Sequence, residues 1–120
     1  MTRSNKGDPD GFLPLNTLEF RVLLVLMDGD LHGYGIAKEI ERRDPSLGRI
    51  YPTNPYRRLR DMSEHGLLAE LPASDNGEQK RLFKLTELGR LVAKKEALRL
   101  EALVLDARKH DLLSQRSASS

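Results

Sequence analysis

The apolar pattern in the last part of the chain is the feature that most constrains the fold. From Leu88 to Leu112 the apolar residues alternate spacings of three and four, and only Lys95 and Lys109 interrupt the series. This spacing is typical of a helix with one apolar seam. A helix over residues 86–113 would be about 40 Å long. That length exceeds what one domain of a 120-residue chain can cover, so part of the seam needs another surface.

Two surfaces could cover this seam: the chain's own domain or a second copy of the chain. We favour a second copy, which makes residues 86–113 a dimerisation helix. Because lysines interrupt the seam, we also expect part of the helix to pack on its own domain instead of forming an unbroken coiled coil. The predicted dimer interface comprises Leu91, Leu98, Ala102, Leu105 and Leu112.

Three shorter helices are predicted before this segment. The first follows a cap at Asn16 or Thr17 and ends at Asp28-Gly29-Asp30, and the second runs from Gly33 or Tyr34 to Arg43. The third has Thr53 or Asn54 as its cap and Pro55 near its first position, where the missing N–H costs nothing. It runs to about His65, before the helix stop at Gly66.

A β-hairpin is predicted between the third helix and the last one. Leu67–Leu71 and Lys80–Leu85 are the strands, and the polar turn between them contains Asp75-Asn76-Gly77. Three helices followed by a hairpin indicate a winged helix-turn-helix. We therefore predict a mainly α fold with a small β-hairpin: a winged domain over residues 13–85, a flexible tail over 1–12, and a disordered tail over 114–120.

The third helix and the hairpin carry the candidate DNA contacts. Arginine is the best bidentate partner of guanine, and residues near the start of a helix in the major groove reach the base edges most easily. The recognition-helix candidates are Thr53, Asn54, Tyr56, Arg57 and Arg60; Arg58 is also expected on an outer face. In the wing, Lys80, Arg81 and Lys84 could contact phosphates, or they could simply protect an edge strand from aggregation.

Other function classes lack support in the sequence. The chain has no cysteine, and its three histidines have no ligand spacing, so no metal site or cofactor is expected. No nucleophile, acid and base converge in a catalytic pattern, so an enzyme is the least expected class. No apolar run is long enough to span a bilayer, and a cytoplasmic, nucleoid-associated protein without membrane contact is expected. The net charge of +2 alone says little about nucleic acid.

Several motifs together resemble the PadR family of bacterial transcriptional regulators. They are Leu31-His32-Gly33-Tyr34-Gly35-Ile36, Tyr56-Arg57-Arg58-Leu59, Glu64-His65-Gly66-Leu67-Leu68 and Leu85-Thr86-Glu87-Leu88-Gly89. The resemblance implies a winged helix, a homodimer and repression at a promoter. It also implies that Tyr56 reaches the DNA backbone. The chain departs from the family in having Thr53-Asn54-Pro55 before this tyrosine.

The function expected is therefore a sequence-specific DNA-binding transcriptional regulator, a repressor that acts as a homodimer on a pseudo-palindromic operator. Two alternatives stay open. One is a winged-helix module that binds protein rather than DNA, suggested by Asp61 and Glu64 on the third helix. The other is a sensor with a small-molecule inducer at the dimer interface. Tyr34 is expected to pack against the first helix, with a phosphate contact as the alternative.

Overall fold

The described residues of the protein form four α-helices and a three-stranded antiparallel sheet. A computed structural model describes residues 8–45, 55–72 and 81–113, with Pro55 and Tyr56 described by their backbone alone. The elements in chain order are a 3-10 helix (Pro9–Phe12), α1 (Thr17–Leu26), β1 (Leu31–His32), α2 (Gly33–Arg43), α3 (Pro55–Glu64), β2 (Leu68–Pro72), β3 (Arg81–Leu85) and α4 (Glu87–Lys109).

The first three helices enclose one hydrophobic core against the sheet. Asn16 caps α1, since its side chain accepts hydrogen bonds from the N–H groups of Leu18 and Glu19. The apolar residues of the three helices recur every three or four positions and face inward. The buried helix residues of this core are Val22, Leu23, Val25 and Leu26 of α1, Ile36 and Ile40 of α2, and Leu59 and Met62 of α3.

The sheet contains the predicted hairpin and one strand more. Its order is β1-β3-β2, so the short β1 extends the hairpin on the β3 side. In β2 and β3, Leu68 pairs with Leu85, Glu70 with Phe83, and Pro72 with Arg81. Leu82 is only partly buried whereas Leu85 is buried, because alternation along β3 places these two leucines on opposite faces. Sequence patterns could not reveal β1 because a two-residue strand has no periodicity.

The segment before α1 corrects the prediction of a flexible tail over residues 1–12. Pro9–Phe12 forms a 3-10 helix, and the Phe12 side chain is only 1% exposed. Its ring meets the His65 ring edge-on, with the centroids 6.4 Å apart. Burial of this aromatic side chain helps to hold the segment against the domain. Residues 1–7 and the predicted tail over 114–120 lie outside the described residues.

The helix α4 packs on the winged domain only through its first half. Gly89, Val92, Ala93 and Glu96 are buried there, which confirms the expected partial packing. The helix has 23 residues and ends at Lys109, earlier than predicted, because the chain turns at Asp111, whose φ is 61°. At 1.5 Å per residue it is about 35 Å long.

A buried carboxylate fastens the N-terminal segment to α4. Glu96 is 2% exposed and accepts hydrogen bonds of 2.8 and 2.7 Å from the Arg99 guanidinium. It also accepts the Leu15 N–H at 3.4 Å. These hydrogen bonds, those from Arg99 first, lower the pKa of Glu96. Nearby, Lys95 pairs with Asp10 of the 3-10 helix at 3.4 Å.

Candidate nucleic-acid interface

The helix α3 presents arginines on its outer side. Its apolar positions Leu59 and Met62 are buried, so the helical period places Arg57 and Arg60 in solvent. Arg58 differs from the expectation of an outer face. It is half-buried, and its Nη1 lies 3.6 Å from Oε2 of Glu19 on α1. Arg58 therefore ties α3 to α1, while Arg57 and Arg60 extend from the domain.

Part of the predicted recognition surface lies beyond what the structure describes. Thr53 and Asn54 precede α3, and Lys80 precedes β3, all outside the described residues. Tyr56 is placed in α3 by its backbone alone. The helix does begin at Pro55, as predicted. The roles of Thr53, Asn54, Tyr56 and Lys80 in binding stay predictions.

The wing directs its two described cations to opposite faces. Residues alternate along β3, so Arg81 shares a face with the buried Phe83, whereas Lys84 lies on the other face with Ala69. The Arg81 face is the one that meets the helices. The Arg81 carbonyl oxygen lies 3.3 Å from Nδ1 of His32 on β1, which fixes the backbone at the start of β3. The structure thus brings Arg81, but not Lys84, to the α3 side.

A cavity of about 540 Å³ is lined by residues of α3 and of the wing. Arg60 and Arg81 reach it from opposite sides, together with the carboxylates of Glu64 and Glu70. Nε of Arg81 lies 3.3 Å from Oε2 of Glu70. The residues lining the cavity are Arg60, Ser63, Glu64, Leu68, Ala69, Glu70 and Arg81. The space is open, mixed in charge, and directly beside the exposed arginines of α3.

Several other arginines are neutralised within the domain. Arg42 and Arg43 both donate hydrogen bonds to the Glu39 carboxylate, which lowers the pKa of Glu39 to about 2. Arg43 also contacts Asp28 at 2.6 Å, and Arg21 contacts Asp44 at 2.9 Å.

The exposed cations of the candidate site contrast with these paired arginines. Within the ranges 8–45, 55–72 and 81–113, Arg57, Arg60 and Lys84 form no ion pair. Their charge is therefore available to an external anion. Arg60 brings part of this charge to the wing cavity, whereas Lys84 lies on the other face of the wing.

Tyr34 corrects the expectation that this residue packs against α1. Gly33 and Ile36 take the buried face of α2, so position 34 lies on the outer face and Tyr34 is 67% exposed. The Lys38 Nζ lies 5.5 Å from the centroid of its ring, a cation–π contact one helical turn away. A phosphate contact through the Tyr34 hydroxyl stays a prediction.

The predicted seam of α4 is exposed in the single chain. At 100° per residue, Leu91, Leu98 and Leu105 lie on roughly the opposite side of the helix from the buried Val92 and Glu96. Leu98 and Leu105 are 55% and 54% exposed. Exposed apolar residues continue to the end of the described chain, namely Ala102, Leu103, Val104, Leu112 and Leu113.

Glu70 and Gly89 are important residues that sequence patterns did not single out. Glu70 matters because the hairpin register sets it diagonally across from Arg81, and the sequence alone leaves that register open. Gly89 matters because α4 passes very close to the Leu67 carbonyl. The motif Leu85-Thr86-Glu87-Leu88-Gly89 includes Gly89, but the sequence does not show the physical reason for a glycine there.

The described part of the chain offers neither a metal site nor a membrane span. No group of three or more histidine, aspartate or glutamate side chains in it could hold a metal ion. None of its helices is long and apolar enough to cross a membrane.

Sequence comparison gives one family match. Residues 22–95 match the Transcriptional regulator PadR-like family, from the middle of α1 to the first third of α4. No curated protein matches the sequence.

This fold is shared with solved structures of other proteins. One from Clostridium thermocellum has a TM-score of 0.66 and 21% identity, covering 77% of this chain and 87% of its own. A zinc-responsive MarR family member, Lactococcus lactis ZitR, has a TM-score of 0.58 and 21% identity, covering 92% and 72%. Bacillus subtilis PadR, solved in complex with operator DNA, has a TM-score of 0.53 and 20% identity, covering 88% and 64%.

Proposed function

Because the chain belongs to the PadR-like family of transcriptional regulators, we propose that it is a sequence-specific repressor that binds duplex DNA as a homodimer. One observation carries the DNA partner: α3 exposes Arg57 and Arg60 without internal ion pairs in the described residues, beside a wing with a further arginine. Desolvating and orienting these guanidinium groups is favourable only against an anionic partner. The B. subtilis relative in complex with operator DNA supports the same assignment.

In this proposal α3 lies in the major groove and the wing follows the adjacent backbone. A helix fits the width of the major groove, and its exposed arginines can read guanine O6 and N7. Arg57 and Arg60 are the base or phosphate contacts on α3, together with the sequence candidates Thr53, Asn54 and Tyr56. The wing contributes Lys80, Arg81 and Lys84.

Selection from a random pool of duplexes tests operator binding directly. The duplexes that the purified protein retains should share a sequence with two related half-sites. Arg57→Ala and Arg60→Ala should each weaken binding to the selected duplex by about tenfold or more if the arginine reads a base. If it contacts a phosphate, the loss should come with a shallower salt dependence.

Arg42→Ala is the matched control for charge. Arg42 is exposed on α2 but already pairs with Glu39, so its removal should cost less affinity. Equal losses for Arg42→Ala and the two α3 variants would show that only overall charge matters. Absence of any selected sequence, with no shift of any duplex, would reject the proposed function.

The homodimer is proposed to form through the exposed face of α4. Leu91, Leu98 and Leu105 form an apolar row that this chain leaves in water, and a second copy would cover it in the manner of a coiled coil. Pairing two copies also presents two recognition helices to two half-sites, which matches a pseudo-palindromic operator.

Sedimentation of two variants tests this interface. Leu98→Glu should shift the protein toward monomer, because it places a charge in the centre of the apolar row. Ala97→Glu adds the same carboxylate at an exposed position off the row and should sediment like the unmodified chain. A dimer that survives Leu98→Glu would move the interface elsewhere.

A further inference from the structure

Resting on the proposed function, we propose that Glu70 competes with DNA phosphate for Arg81, so that the wing binds DNA by exchanging one ion pair for another. The exchange would make Glu70 a residue that sets DNA affinity without contacting DNA. Three properties of the wing support it: the position of the two side chains, the weakness of their contact, and the presence of a second arginine beside them.

Arg81 is the wing cation that the structure places on the α3 side. Its face is the one shared by Phe83 and Glu70, and both Arg81 and Glu70 line the cavity next to α3. Its backbone is held on the other side by the contact between His32 and the Arg81 carbonyl. A fixed backbone leaves the side chain as the part that can change partner.

The ion pair between Arg81 and Glu70 is of an exchangeable kind. It has a single contact of 3.3 Å, and the Arg81 side chain is 55% exposed. The Glu96–Arg99 pair, by comparison, has contacts of 2.8 and 2.7 Å on a carboxylate that is almost fully buried. Exposed, single-contact pairs contribute little to stability, so a stronger anion can displace Glu70 at small cost.

A phosphate of the DNA backbone can bind Arg81 more strongly than the Glu70 carboxylate does. Arg60 reaches the same cavity from α3, so a phosphate between α3 and the wing could contact two guanidinium groups. Arginine binds phosphate through two parallel N–H donors, which is a stronger arrangement than its single contact with Glu70. In the free protein Arg81 therefore pairs with Glu70, and in the complex with DNA it pairs with the phosphate.

Duplex binding by the full chain and its Glu70→Gln variant tests this exchange, with a random-sequence DNA duplex as the probe. Glu70→Gln should bind up to about fivefold more tightly, since an exposed ion pair accounts for at most a factor of about five. Glu64→Gln removes a carboxylate from the same cavity wall and measures the simple effect of one negative charge. The gain from Glu70→Gln should exceed the gain from Glu64→Gln.

The Arg81→Gln background separates exchange from general repulsion. Arg81→Gln should weaken binding, and adding Glu70→Gln to it should then give no more than the Glu64→Gln gain. An equal Glu70→Gln gain in both backgrounds would overturn the proposal. So would a Glu70→Gln variant that lowers the unfolding midpoint and leaves affinity unchanged, because the pair would then be only structural.

The outcomes also separate this proposal from the proposed function. If the unmodified chain binds the random duplex and Glu70→Gln gives no gain, only the exchange is refuted. If neither the unmodified chain nor any variant binds duplex DNA, both are refuted.

Discussion

The close approach of α4 to the base of the wing makes Gly89→Ala a demanding test of the fold. A Cβ at position 89 would fall far inside contact distance of the Leu67 carbonyl oxygen, and it would lie 2.8 Å from Cδ1 of Leu85. The carbonyl cannot move freely, because it is backbone and accepts the Thr86 N–H at 3.2 Å. The alanine therefore forces α4 away from the wing.

The expected cost follows from three contributions. Overpacking against a rigid neighbour costs about 1–3 kcal/mol, and weakening the hydrogen bonds between Thr86 and Leu67 costs about 1 kcal/mol for each bond lost. Alanine regains about 0.5–1 kcal/mol from its higher helix propensity. The net loss in the free energy of unfolding should be about 2–4 kcal/mol, which lowers the melting temperature by about 10 °C or more.

Gly35→Ala is a matched control on the same protein. Gly35 is also the third residue of its helix, but a Cβ there meets Leu31 only at ordinary contact distances of 3.6 and 3.7 Å. This variant should be neutral or stabilised by up to about 1 kcal/mol. Urea unfolding followed by circular dichroism, at one fixed protein concentration, measures both variants. If Gly89→Ala is as stable as Gly35→Ala, the described contact between α4 and Leu67 is wrong.

Two further predictions concern Thr86, which caps α4, and Glu96, which is buried on the same helix. Thr86→Val should lose about 1–2 kcal/mol of unfolding free energy, because the Thr86 hydroxyl accepts the Gly89 N–H at 2.9 Å and lies 2.7 Å from the Gly66 carbonyl. Thr86→Ser should restore most of the lost stability. Equal stability of the unmodified chain and both variants would contradict this prediction. The lowered pKa of Glu96 means that its ionised form stabilises the fold above the ordinary value of 4.5, and that this contribution disappears as the pH falls through the lower folded value. Glu96→Gln should therefore lose less stability than the unmodified chain as the pH falls from above 4.5 into the acid range, and parallel stability curves would refute this prediction.

The faces of the helices could be predicted because they depend on local spacing. Leu59 and Met62 are three residues apart and lie on one side of α3. Burial of that side exposes Arg57 and Arg60, independently of the rest of the fold. The start of α3 at Pro55 and the cap at Asn16 were predictable for the same reason, since both depend on a few adjacent residues. The docking of Phe12 was not predictable, because its contact with His65 joins parts of the chain more than fifty residues apart.

The electrostatic character of the site depends on such distant contacts as well. Arg57 and Arg58 are adjacent and identical in type, yet Arg58 is held by Glu19 on another helix, while Arg57 stays exposed without an ion pair in the described part of the chain. Arg42 and Arg43 likewise count as basic residues in the sequence but are paired with Glu39 and Asp28 in the fold. On the α3 and wing surface, an approaching polyanion meets the charge left after internal pairing, at Arg57, Arg60 and Lys84. If Glu70 releases Arg81 on binding, Arg81 joins these cations while the Glu70 carboxylate loses its partner, so the affinity for DNA depends on an acidic residue as well as on the basic residues around it.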